Sequence, residues 1–158
     1  KAGSVLGTAA YLPPEQTRSR KWPVLYLVTH PEVSLAEWRL TVDGAVEQPA
    51  ELDWAALMAL PQVQDESDFH CVTGWSKLAM QWGGVQLATV LALAQPKASA
   101  RHALFYAYHG YNTNLPLEEA LKHDVLLVHT FEGAPLPREH GGPVRVVSPQ
   151  LWAWKRTK

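Results

Sequence analysis

The sequence predicts an α+β domain, mixed and coil-rich, assembled from short strands and short helices. Three observations predict it. Apolar and polar residues alternate over short stretches, and the helical stretches are brief and stopped by proline. Neither a βαβ rhythm nor a glycine-rich phosphate loop links them. Twelve prolines in 158 residues also argue against a helical bundle, because an interior proline breaks a helix.

Residues 1–33 are proline-rich (Pro13, Pro14, Pro23, Pro31) and read as an extended arm with a short strand near Val24–Val28. Trp38-Arg-Leu-Thr-Val-Asp43 alternates strictly, with Trp38, Leu40 and Val42 on one face and Arg39, Thr41 and Asp43 on the other. That is the signature of a half-buried strand, closed by a turn at Asp43-Gly44. Asp53 can cap a helix through Trp54–Leu60, which Pro61 stops. Phe69-His-Cys-Val72 is a short apolar run before a turn at Thr73-Gly74. A second helix is expected from Gln86 to Ala94, closed by Pro96. Ala103–Tyr108 reads as a buried strand, Leu117–Lys122 as a short helix, Asp124–His129 as a strand, Glu132-Gly133 as a turn and Pro143–Val147 as a last strand. No break in composition marks a boundary, so residues 1–158 are expected to form one domain.

Hydrophobic residues make up 47% of the chain and charged residues 18%, a composition that can bury a core. With 14 basic and 15 acidic residues, nothing global attracts nucleic acid or an anionic membrane. No apolar run approaches the roughly 20 residues that span a bilayer. The single cysteine excludes an internal disulfide framework, a multi-cysteine zinc site, a haem-attachment Cys-x-x-Cys-His and an iron–sulfur cysteine set. His102, His109, His123 and His129 form no helical i, i+4 pair and no HxH on a strand, which speaks against a histidine zinc site. Glu118-Glu119 suits the start of a short helix and needs no catalytic role.

Three segments could carry chemistry. Cys71 lies at a strand end beside His70 and before a glycine turn. It reads as a thiol placed to project into a cleft, as a buried, inert thiol or as a nucleophile paired with a histidine. Adjacent strand residues point to opposite faces, so His70 is poorly placed to activate it. His140-Gly-Gly-Pro-Val-Arg145 offers two glycines that let backbone approach a ligand, an imidazole donor and a guanidinium that can grip an anion. The bland reading of that stretch is a solvated loop entering an edge strand. Lys155-Arg-Thr-Lys158 suits phosphate, or is a solvated tail.

Taken together, three segments resemble the molybdopterin domain of the sulfite oxidase family in order and approximate spacing. They are Phe69-His-Cys71-Val-Thr-Gly-Trp75-Ser, then Tyr111-Asn-Thr-Asn-Leu-Pro-Leu117, then Leu136-Pro-Arg-Glu-His140-Gly-Gly-Pro-Val-Arg145-Val-Val-Ser-Pro149, with Lys158 beyond. Trp38–Gly44 is also similar to an early strand and turn of that domain. The resemblance runs from about Pro13 to the last residue, and Leu136–Pro149 is its most specific part. It implies a sulfite oxidase-type molybdopterin-binding fold whose C-terminal end is truncated, since a further strand follows the lysine in the family.

The resemblance also implies roles. Cys71 becomes the thiolate ligand to molybdenum, with the pterin dithiolene supplying the metal's other sulfurs. His140, Arg145 and Lys158 become the anchors of the molybdopterin and its phosphate, with Arg156 and Thr157 beside them and Gln16 as an early pterin contact. Trp75 and Thr73 line the substrate side. True sulfite oxidases carry arginines just after the cysteine, whereas here that stretch is Thr73-Gly-Trp-Ser76. The sequence is nearer the branch that holds the catalytic subunit of a bacterial methionine-sulfoxide reductase. An aromatic wall suits a neutral thioether or sulfoxide better than a dianion.

The implied activity is molybdenum-dependent two-electron oxo transfer on a small sulfur-containing or similar molecule. Electrons would pass to or from a separate transfer protein carrying haem or a similar centre. The expected compartment is the cytoplasm, or the periplasm if the N-terminus has been processed. Two rivals stand beside this reading: a cofactor-free binding module that keeps the fold, and a thiol enzyme that uses Cys71 directly.

Overall fold

The computed structural model describes residues 17–24, 32–71, 73–108 and 110–151. In chain order its elements are β1 (Thr17–Arg18), β2 (Arg39–Val42), β3 (Ala50–Asp53), α1 (Trp54–Ala59), β4 (Gln62–Cys71), β5 (Trp75–Gln86), α2 (Leu87–Ala94), β6 (His102–Tyr106), β7 (Asn112–Pro116), α3 (Leu117–Ala120), β8 (Leu126–Phe131), β9 (Ala134–Pro135), a 3-10 turn (Arg138–His140) and β10 (Arg145–Val147).

Strand accounts for 43% of the described residues and helix for 17%, so α+β fits only loosely and the molecule is strand-rich. Strand β5 is the spine. Along one edge it pairs antiparallel with β4, from Gln62 opposite Val85 to Cys71 opposite Trp75. Its other edge is shared: β1 runs parallel to Trp75–Ser76, and β8 runs antiparallel to Trp82–Gln86. Strand β8 then carries β10 and β9. Hairpins β2–β3 and β6–β7 form two separate two-stranded sheets.

Side chains alternate across a strand, so this sheet separates two cores. Val85, Leu127 and Val146 face a cluster with Trp38, Leu52, Leu57, Val90, Leu91 and Leu115. Met80, Trp82, Leu126, Val128 and Val147 face the other, with Phe69, Cys71 and Leu136. Between β5 and β8 the backbones come so close that a Cβ on Gly84 would lie 2.1 Å from the Leu127 carbonyl oxygen. Only glycine fits there.

The short helices obey their end signals. Asp53 caps α1 by accepting a 2.8 Å hydrogen bond from the Ala56 amide. Helix α2 ends at Gln95 in the left-handed region, just before Pro96. Buried Trp38 beside exposed Arg39, Thr41 and Asp43 confirms the alternation of the first half-buried strand.

Most of β4, all of β5 and β7 were not expected from the sequence. Gln62–Asp68 is polar because one face of β4 is exposed there, and β5 is buried on both sides at Trp82–Val85, which erases a period of two. The strand expected near Val24–Val28 falls almost wholly outside the described residues, and Val24 itself is not in a strand. Among the described residues no helix is long and apolar enough to cross a membrane.

Candidate functional site

The site begins where β4 hands over to β5. Gly74 turns the chain at φ +89, and its amide donates to the Cys71 carbonyl at 3.1 Å. The register sets Cys71 opposite Trp75, His70 opposite Ser76 and Phe69 opposite Lys77. His70 therefore points away from Cys71, and its Nδ1 shares a 2.8 Å hydrogen bond with the Ser76 hydroxyl. Both partners are buried. This arrangement matches the separation expected for adjacent strand residues and argues against a Cys71–His70 catalytic pair.

Cys71 is 2% exposed and packs among Phe69, Met80, Trp82, Leu126, Val128 and Val147. Its sulfur lies 3.0 Å from the Thr73 hydroxyl. Trp75, half-buried, stacks on Phe69 at 5.5 Å with an 11° interplanar angle. Thr73, Cys71 and Trp75 are thus brought together, with Thr73 on the solvent side.

Arg145 arrives on the same sheet face by a different route. It opens β10 opposite Val128, and Val147, two residues on, packs in the Cys71 cluster. Arg145 is 4% exposed. One guanidinium N–H donates to the His140 carbonyl at 2.7 Å. Its Nε is buried with no hydrogen-bond partner, and the ion pairs among the described residues, Lys122–Glu119 and Arg138–Glu32, do not include it. The Trp22 and Phe69 rings each lie 5.6 Å from the guanidinium carbon.

Burial without a carboxylate pulls the Arg145 pKa down to about 10, which still leaves it protonated at neutral pH. Cation–π contacts offer about 0.5–2 kcal/mol, against several kcal/mol to desolvate a cation. The described residues leave that charge under-compensated, and a bound anion would offset the deficit.

His140 closes the 3-10 turn, is 8% exposed, and stacks face to face on Trp22 at 3.7 Å and 5°. The glycines that follow serve the chain itself. Gly141 exits the turn at φ +100, and a Cβ on Gly142 would sit 2.2 Å from the Leu136 carbonyl oxygen. The close approach expected toward a ligand is, at Gly142, an approach to the chain's own backbone. Gln16, Arg156, Thr157 and Lys158 lie outside the described residues.

Trp22 is the member that sequence reasoning missed. It sits in the irregular arm between Lys21 and Pro23, where no periodicity distinguishes it from six other tryptophans. In the fold it touches Phe69, Trp82, Phe131 and His140.

A cavity of about 710 Å³ opens toward the aliphatic core, bordered by Trp38, Leu40, Val46, Tyr106, Val144 and Arg145. Cys71 does not line it. Arg145 reaches the border of this cavity and the soft sulfur does not, so donor chemistry rather than volume marks the site. A thiol, an imidazole and a buried guanidinium with an unmet N–H suit an anionic group that also presents a soft metal.

Comparisons with known proteins identify the family. Residues 27–158 match the family described as oxidoreductase molybdopterin binding domain. The chain is 37% identical over 148 residues to the Bacillus subtilis (strain 168) protein named "Uncharacterized oxidoreductase YuiH", covering 93% of this chain and 75% of that one. It is 29% identical over 137 residues to the protein-methionine-sulfoxide reductase catalytic subunit MsrP of Ralstonia nicotianae, covering 77% of this chain and 41% of that protein. Its fold is similar to the sulfane dehydrogenase SoxCD of Paracoccus pantotrophus, with a TM-score of 0.67 at 23% identity over 78% of this chain and 37% of that one.

Proposed function

The chain belongs to the molybdopterin-binding oxidoreductase domain family, and we propose that it uses a molybdenum-bound molybdopterin, ligated by Cys71, for two-electron oxo transfer on a small sulfur compound. One observation carries this reading: on the sheet face where Cys71 is packed, Arg145 is buried, cationic and without a carboxylate among the described residues. A structural arginine in a finished core would have its charge and its N–H groups met.

Bound molybdenum supplies the redox and oxygen-transfer chemistry. The chain supplies the rest. Cys71 offers a thiolate, which the 3.0 Å hydroxyl of Thr73 can stabilise by donating to it. Arg145 offers fixed positive charge toward the phosphate, held by the His140 carbonyl. His140 offers its ring to the pterin. Lys158, Arg156, Thr157 and Gln16 complete the anchoring set by resemblance.

The substrate side is Trp75 with Thr73. Trp75 is pinned against Phe69, so it presents a rigid aromatic surface. The nearest following cation, Lys77, is directed at the Phe131 ring, 6.0 Å from its Nζ. A neutral sulfoxide or thioether suits this wall better than sulfite. The name of the Ralstonia relative, a methionine-sulfoxide reductase catalytic subunit, supports the same direction. Electrons would then come from a separate protein carrying haem or a similar centre.

Molybdenum and pterin analysis of protein made in a cofactor-producing host tests the cofactor. Steady-state assays with methionine sulfoxide and with sulfite test the substrate. Near-stoichiometric molybdenum with sulfoxide turnover supports the reading; fast sulfite oxidation defeats the substrate assignment.

A further inference from the structure

We propose that Trp22 is a positioning residue that holds the His140 ring and seals the Arg145 guanidinium at the cofactor-binding face. The proposal rests on the molybdopterin reading of His140 and Arg145. Its evidence is geometric. The indole lies on the imidazole at 3.7 Å with planes 5° apart. A face-to-face stack that close fixes the plane of the smaller ring, and therefore the plane in which its two nitrogens can meet a partner. Arg145 lies 5.6 Å from the same indole, so one side chain covers both.

Trp22 is itself held. Phe69, Trp82 and Phe131 meet it edge to face at 5.6, 5.3 and 4.8 Å. All three come from the central sheet: Phe69 from β4, Trp82 from β5 and Phe131 from β8. Trp22 is thus docked on the central sheet. Its own segment is anchored nearby, where the Ser19 amide donates to the Ser76 carbonyl at 2.7 Å. The same wedge excludes water from Arg145, which strengthens that cation's pull on an anion.

This separates two jobs. His140 and Arg145 meet the ligand, and Trp22 sets how they are aimed. Partners that orient ligand-binding groups commonly change affinity by about 10–100-fold when removed.

The test compares wild type with Trp22→Ala and Trp22→Phe, each purified with the cofactor it acquires in a producing host. Molybdenum and pterin content are followed during dialysis. Side-chain nitrogen NMR of His140 is recorded on the loaded and the cofactor-free protein. Trp22→Ala is expected to lose pterin at least about tenfold faster, and its His140 ring signals to broaden or shift toward mixed tautomers. Trp22→Phe, which keeps a flat ring, is expected to return retention to within about threefold of wild type.

Wild-type retention and unchanged His140 signals in Trp22→Ala would overturn the proposal. Should Trp22→Ala fail to fold, Trp22→Phe and wild type still decide: the proposal requires through-space ring-current shifts on His140 that change with the identity of the stacked ring, and their absence overturns it. Failure of the underlying reading looks different, because His140→Ala and Arg145→Ala would then retain pterin as wild type does.

Discussion

The two sides of the central sheet solve folding differently. On one, Trp38, Leu52, Leu57, Val85, Val90, Leu91, Leu115 and Leu127 close an almost purely apolar core. On the other, Cys71 packs among aromatic rings, with His140 stacked on Trp22 and Arg145 buried with no carboxylate partner among the described residues. The first side is apolar and borders the cavity of about 710 Å³. The second holds a buried cation that meets no carboxylate among the described residues, and such imbalance is expected where a ligand belongs. The lesson is that an unmet buried cation, read against an apolar core in the same molecule, locates a candidate site where cavity size alone does not.

The largest break in this comparison should come from the apolar side. Leu57, with no exposed surface, should cost about 2–5 kcal/mol when changed to Ala, measured by denaturant unfolding. Pterin retained per folded molecule should stay at the wild-type level. The comparison weakens if cofactor retention falls in step with stability.

Arg145→Met is the converse. It removes an uncompensated buried charge while keeping a long side chain. Cofactor-free protein should then stay within about 1 kcal/mol of wild type or become more stable. Pterin retention should fall at least about tenfold. A large loss of stability with intact retention would make Arg145 a structural residue.

The smallest effect concerns a polar exception on the apolar side. His129 is buried beside Trp54, and its Nε2 shares a 2.7 Å hydrogen bond with Gln62. Burial holds its pKa below the ordinary 6.5. The unfolded chain therefore binds that proton more readily, so stability is full above pH 6.5 and falls as pH drops below it, until the folded ring itself is protonated. His129→Gln should flatten this part of the stability–pH curve in urea titrations; an unchanged slope would assign it to other groups.

How much could be read beforehand follows the same division. The strand Arg39–Val42, the Asp53 cap and helix α2 are local matters, written in alternation and end signals, whereas the partner strand Ala50–Asp53 was not expected. Strand β5 was hidden because a central strand buried on both faces loses its period. Cys71, His140 and Arg145 were nominated through resemblance, and their local residue types alone left bland alternatives open. What brings Cys71 and Arg145 to one face is the register of β4, β5, β8 and β10, a long-range property. Trp22 was invisible for the same reason: its partners lie in β4, β5, β8 and the turn before β10.

The most direct test of the central claim is X-ray absorption at the molybdenum edge on loaded wild type and Cys71→Ser. Serine nearly preserves volume, so the fold should persist. The spectrum of the variant should lose one sulfur bound to the metal and keep those of the pterin. An identical sulfur count in both proteins would show that the thiol of Cys71 is core packing and that the metal is held without it.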